Sequence, residues 1–293
     1  MSKDTWIAVT GASGFVGSHI AMALKSNGYK VLSLSRTEPK TSVDQHITVD
    51  ISDALAMERI AVDMPDLVSV VHVAASLKQD ETAIKTNVLG TYNVLKYLGQ
   101  RTGNISNISS LPIIGFPQEE IISEQHKVEP QTLYHLTKYQ AELFFELPEF
   151  NDLNITNLRF ASPIGTGMPI NVITSVFIAK CLKNETISIN GKGERVMNYI
   201  DTRDIANAVI CTIKKPTISG LFLLNGTSIS NIDLAWLCVK ITNSNSEVKF
   251  SGAEDFQDSH KWIIDGSKVE KELGFVACIP LEQSISDIAD SMR

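Results

Sequence analysis

Short apolar runs alternate with amphipathic stretches through the first half of this chain, a rhythm that predicts a parallel sheet wrapped by helices. Candidate strands lie at Trp6–Thr10, Lys30–Leu34, Ile47–Val49, Leu67–Ala74, Asn104–Ser109 and Ile155–Phe160. Helical periodicity fills the gaps at Phe15–Ser26, Ala54–Ala61, Thr82–Leu98 and Leu133–Glu146. The run 68–73 reads Val-Ser-Val-Val-His-Val, nearly continuous in β-branched residues, as expected for a strand covered on both faces. After Phe160 the alternation fades. Pro163, Gly165, Gly167 and Pro169 crowd into an expected loop. Then come a helix, a strand near Ile187–Ile189, a helix near Thr202–Ile213, a strand at Leu221–Leu224, a helix at Asn231–Ile241 and two C-terminal helical segments. The expected fold class is α/β, a doubly wound parallel sheet of Rossmann type over residues 1–160. A smaller C-terminal α/β part, 161–293, is expected to bind substrate, with some of its segments returning to the core. The ligand cleft should lie beyond the carboxyl ends of the strands.

Composition narrows the partners. With 26 basic against 33 acidic side chains the net charge is −7, and no run of Lys and Arg offsets it, so neither nucleic acid nor an anionic membrane surface is expected to bind. Cys181, Cys211, Cys238 and Cys278 are far apart and lack metal-site spacing, and all four read as buried thiols in a reducing compartment. The N-terminus enters a strand within a few residues, leaving no room for a signal peptide, and no apolar run approaches a bilayer span. A cytoplasmic location is expected.

The first strand ends in Thr10-Gly11-Ala12-Ser13-Gly14-Phe15-Val16-Gly17 and a helix opens from that turn. The first glycine permits the tight turn, the second lets the backbone approach a pyrophosphate, and the third lets the helix pack closely on the strand. Free N–H groups and the positive end of the helix dipole then hold phosphate. Gly11, Ser13, Gly14, Phe15, Val16 and Gly17 are therefore candidate dinucleotide contacts. The glycine spacing is three and three, which differs from the two-and-three turn of two-domain dehydrogenases.

This turn, Ser110, Tyr134-x-x-x-Lys138 and the phrase Asn-Val-Leu-Gly-Thr-Tyr-Asn-Val-Leu at 87–95 together resemble the extended short-chain dehydrogenase/reductase family. Within that family the likeness is to nucleotide-sugar epimerases, dehydratases and 4-ketoreductases. It runs from Trp6 to about Ile288, and the order and spacing of the fragments carry it. The resemblance implies that Asp50-Ile51 meets the adenine edge, that Ala74-Ala75 and Pro163 line the cofactor groove, and that Asn87 lies near the nicotinamide. It also implies that Lys138 holds the nicotinamide ribose, and that the chain forms a homodimer through the helices at Thr82–Leu98 and Leu133–Glu146.

Tyr134 and Lys138 are four apart in a helix and project from one face. A phenol titrates near pH 10, and an adjacent ammonium together with the oxidised nicotinamide should lower that value. Tyr134 could then exchange a proton with the substrate's oxygen while a hydride moves, and Ser110 at a strand end could steady the same oxygen. A second copy of the pattern, Tyr92-x-x-x-Lys96, precedes Ser110 in the chain and reads as packing or interface surface. Ser109 competes for the serine role, but the resemblance implies a serine five residues before a loop glycine, and Gly115 then points to Ser110.

The second strand ends Leu34-Ser35-Arg36-Thr37, with no carboxylate where NAD enzymes hold the ribose 2′-hydroxyl. Ser35 and Arg36 therefore favour NADP, with NAD as the alternative. That preference points to a net ketoreductase acting on a 4-keto nucleotide sugar. The alternatives are a 4-epimerase or dehydratase that retains NAD, and a sensor that binds NADP without chemistry. Substrate evidence rests on Arg195. By resemblance, a diphosphate-binding arginine would stand at Met197, so Arg195 is the candidate cation, or else a solvated hairpin charge. His72 reads as a packed strand residue, and Glu119-Glu120 as solvated.

Overall fold

The computed structural model describes residues 5–293. The first half supplies strands β1 (Trp6–Thr10), β2 (Lys30–Ser35), β3 (Gln45–Thr48), β4 (Leu67–His72), β5 (Asn104–Ile108) and β6 (Asn154–Arg159). Between them run α1 (Phe15–Ser26), α2 (Ala54–Asp63), a long helix α3 over 81–102, and α4 (Leu133–Leu143). The second half adds β7 (Ser162–Ile164), α5 (Ile173–Leu182), β8 (Ile187–Ile189), β9 (Val196–Asp201), α6 (Thr202–Lys214) and β10 (Gly220–Leu223). It closes with β11 (Thr227–Ser230), α7 (Asn231–Thr242), β12 (Val248–Phe250), α8 (Ser267–Leu273) and α9 (Leu281–Met292).

Seven parallel strands form the main sheet in the order β10-β6-β5-β4-β1-β2-β3. This is the Rossmann arrangement, with β1 at the switch in winding direction, and the crevice therefore opens beyond the ends of β1 and β4. Ile7, Ala8 and Val9 of β1 are wholly buried because helices cover both faces. Ile7 and Val9 pack with Ile20 and Leu24 of α1 and Ile205 and Val209 of α6. Ala8 faces the other side with Leu32, Met57, Val94 and Leu98. Strand β10 pairs with β6, so residues beyond 160 complete the edge of the first sheet.

The C-terminal half builds two small sheets, β11-β9-β7 and β12-β8. The proline-rich stretch expected to be a loop contains β7, an edge strand, where Pro163 is tolerated because its missing N–H faces no ladder partner. Helix α3 holds two π turns, at Ile84–Leu89 and Leu95–Gly99. Helix α4 ends three residues earlier than expected, at Leu143, and the chain tightens into a 3₁₀ turn ahead of Pro148.

The cysteine expectation needs correction. Cys181 and Cys238 are buried, but Cys211 is half-buried and Cys278 is exposed. Cys278 lies in the loop before α9, where its N–H and thiol bond the carboxylate of Asp204, a polar anchorage that no apolar core would offer. Among the described residues no helix is long and apolar enough to cross a membrane.

Candidate active site

One cleft of about 1000 Å³ runs from the β1–β4 crevice into the C-terminal half. At its first end the glycine turn is shaped by backbone demand. Gly11 has φ +71°, and a Cβ there would stand 2.8 Å from the Ala74 backbone. At Gly17 a Cβ would collide with the Gly11 carbonyl. These two positions leave a cradle only glycine can line, open to the first turn of α1, whose N–H groups lack intrahelical partners. The residues present fit a dinucleotide pyrophosphate.

Ser13, Phe15, Val16, Ser35, Arg36, Asp50, Ile51, Ala74, Ala75 and Pro163 all line the cleft. Around the end of β2 the groups are hydroxyls and a cation. Thr37 Oγ1 donates to Ser13 Oγ at 3.1 Å, Ser35 Oγ donates to the Thr37 carbonyl at 2.8 Å, and Arg36 is exposed. Hydrogen bonds from Ser52 and the Arg36 charge hold the Asp50 carboxyl below its ordinary range, although partial burial opposes them.

Asn87 departs from expectation. It is buried outside the cleft lining, its Oδ1 accepts from Ser76 N at 2.7 Å, and its Nδ2 donates to Ser76 O and Thr137 Oγ1. Its hydrogen bonds fix the segment after β4 to helix α4, so in this structure it supports the cleft from behind.

Ser110, Tyr134 and Lys138 come together at the middle of the cleft. Ser110 follows β5, and its side chain stands near enough to the Tyr134 hydroxyl to favour the phenolate. Thr132 caps α4 by accepting from His135 N at 3.2 Å, which sets Tyr134 in the first turn and Lys138 one turn on. Lys138 is almost wholly buried and donates to the Ile108 carbonyl at 2.8 Å. Burial lowers its pKa to about 8, and Glu142 one turn further on opposes that fall. Glu142 is itself held in a buried ion pair with Arg159 of β6.

The expected acidification of Tyr134 is absent in the protein alone. Burial raises its pKa, opposed by the Ser110 side chain, and the Lys138 charge adds no lowering. Ser109 also lines the cleft, with its hydroxyl buried and unpartnered. Tyr92 packs edge-on against Phe144 and Phe150, away from the cleft.

The far end is lined by Met168, Val172, Thr174, Tyr199, Asn231 and Trp262 together with Arg195. Arg195, Met197 and Tyr199 alternate along one strand direction and all face the cavity, a period-two signal the sequence carries but which is easily missed in so short a strand. Arg195 is bound to the protein on two sides, to Asp255 at 3.3 Å and Gln257 at 3.1 Å, while its Nε is buried without a partner. His135, Phe116 and Gln257 are lining residues that sequence patterns did not single out.

Residues 7–220 match the sequence profile of the NAD dependent epimerase/dehydratase family. The chain belongs to that family. Its curated relatives include an epimerase and decarboxylases, and the chain is an enzyme of this family. It is 24% identical to UDP-glucuronic acid decarboxylase 1 of Xenopus tropicalis, over 96% of this chain and 70% of that one. Among solved structures it resembles UDP-glucose 4-epimerase from Thermotoga maritima with a TM-score of 0.86 at 24% identity, covering 98% of both chains. It also resembles MoeE5, solved with UDP-glucose and NAD, with a TM-score of 0.84 at 22% identity, over 99% of this chain and 98% of that one. These likenesses establish the same fold.

Proposed function

We propose that this enzyme moves a hydride between a nicotinamide dinucleotide and a carbinol or keto carbon of a nucleotide-linked sugar. The meeting of Ser110, Tyr134 and Lys138 in one cleft with the glycine cradle, Lys138 being fixed to the end of β5, carries this reading. The nicotinamide, when bound, accepts or donates the hydride. Ser110 holds the substrate oxygen by hydrogen bonding, and Tyr134 takes up or returns its proton. Lys138 brings positive charge to the dinucleotide ribose and, once there, favours the Tyr134 phenolate. Asp50 at the adenine end is the one carboxylate among the described residues lining the cleft.

The direction we favour is net reduction of a 4-keto sugar with NADPH, because Arg36, Ser13 and Thr37 suit a 2′-phosphate and β2 itself ends without a carboxylate to hold a 2′-hydroxyl. A 4-epimerase that retains NAD is the second reading, favoured by the NAD and UDP-glucose bound in MoeE5 and by the epimerase from Thermotoga maritima. The nucleotide released on denaturing the purified protein decides between them. An empty site that takes up NADPH and turns over a 4-keto sugar supports the reductase, and co-purified NAD supports the epimerase. Tyr134→Phe should abolish either turnover while cofactor still binds. Turnover unaffected by that change would leave only the sensor reading.

Exposed Ile84 and Leu89 on α3 and Leu136 and Leu143 on α4 support a homodimer across these two helices. The four unpaired thiols support a cytoplasmic location.

A further inference from the structure

His135 is a titratable side chain in the cleft, beside Tyr134, that the hydride and proton steps leave unused. It follows Tyr134 in the first turn of α4, and its ring lies edge-on to the Tyr134 ring with centroids 5.7 Å apart. It lines the cavity together with Gln131 one turn earlier and with Gly115 and Phe116, so this face of α4 is turned toward the substrate half. Its Nδ1 is buried and has no hydrogen-bond partner. A proton on Nδ1 would be a buried donor with nothing to bond, which costs more than an idle acceptor. The neutral ring therefore carries its proton on Nε2, the nitrogen left to bond in the cleft. Burial lowers the pKa of the ring, and the positive end of the α4 dipole further disfavours the cation, so the neutral donor is the working form.

We propose that His135 is a further substrate-contacting residue, whose Nε2–H donates to the sugar oxygen neighbouring the one held by Ser110 and Tyr134. Oxygens on adjacent sugar carbons are neighbours in space, as are the Tyr134 and His135 rings on successive residues of one helical turn. Recognition of a hydroxyl by a donor that bound substrate shuts off from water is strongly selective, because a ligand lacking the hydroxyl leaves that donor unpaired. The proposal rests on the reading of the site as one for nucleotide sugars.

The test is calorimetric titration of cofactor-loaded wild type, His135→Leu and His135→Gln with UDP-glucose and with UDP. The leucine variant should weaken UDP-glucose about tenfold, the loss of one such hydrogen bond, and leave UDP and cofactor affinities unchanged. The glutamine variant, which keeps an N–H donor, should recover most of the loss. Should the wild type bind UDP while the leucine variant fails to weaken UDP-glucose selectively, or the glutamine variant fare no better than leucine, this assignment is overturned alone. Wild type that binds neither ligand overturns the nucleotide-sugar reading, and the assignment falls with it.

Discussion

Lys138 Nζ donates to the carbonyl of Ile108 at 2.8 Å, so the ammonium of α4 ties down the end of β5 two residues before Ser110. The same burial that makes this bond specific lowers the lysine's pKa from 10.5 to about 8. Between those two values the unfolded chain binds more protons than the folded one, so stability rises with pH across that window and the burden is full below about 8. Thermal unfolding of cofactor-free wild type should therefore gain on Lys138→Met as the pH climbs through it. A gap that stays constant with pH would show that the ammonium is not destabilised by burial.

His72 and Thr10 form the start of a proton-ordered chain. Thr10 Oγ1 accepts from Val73 N and Ala74 N, so its own proton goes to His72 Nδ1 at 2.8 Å. His72 Nε2–H then donates to Thr91 Oγ1 at 2.9 Å, and the Thr91 hydroxyl donates to the Asn87 carbonyl. Burial holds the His72 pKa down to about 3, with the Lys138 charge adding to the effect. Nitrogen NMR should show a neutral Nε2–H tautomer throughout the stable pH range. His72→Leu strips the Thr10 hydroxyl of its acceptor and the Thr91 oxygen of its donor, and should cost about 1–3 kcal/mol of stability.

Gly11 meets Ala74 at the heart of the cofactor cradle. Gly11→Ala would force a side chain into a left-handed backbone and against the β4 extension, at a cost of about 1–3 kcal/mol if the turn holds its shape. Dinucleotide binding, followed by cofactor fluorescence, should be lost before the fold is, because the strained turn relaxes by moving away from Ala74.

Arg36 stands at the end of β2 with Thr37 and Ser13 beside it. Arg36→Ala should weaken NADP binding about tenfold or more while sparing NAD, as removal of a charge-assisted phosphate contact predicts. Equal losses for the two dinucleotides would remove the argument for NADP.

Much of the site could be read along the chain. Tyr134 and Lys138 are brought to one face by a single helical turn, and the glycine turn by its own backbone requirements, so both are local consequences of sequence. The strand ends were harder to place. β7 and β9 have only three and six residues, mix polar with apolar positions, and gain their regularity from pairing with each other. Asn87 shows the opposite limit, because a motif position resembling a cofactor contact proves to have its hydrogen bonds spent on Ser76 and Thr137.

By itself the sequence determined the parallel sheet, the glycine cradle and the Ser110–Tyr134–Lys138 order, since each follows from periodicity or from constraints between near neighbours. Tertiary structure alone decided that Arg195 is braced by Asp255 and Gln257, that burial raises the Tyr134 pKa, and that His135 lines the cleft. Those outcomes depend on groups distant in sequence but adjacent in space, and on how far their packing excludes water, and neither quantity is carried by spacing along the chain.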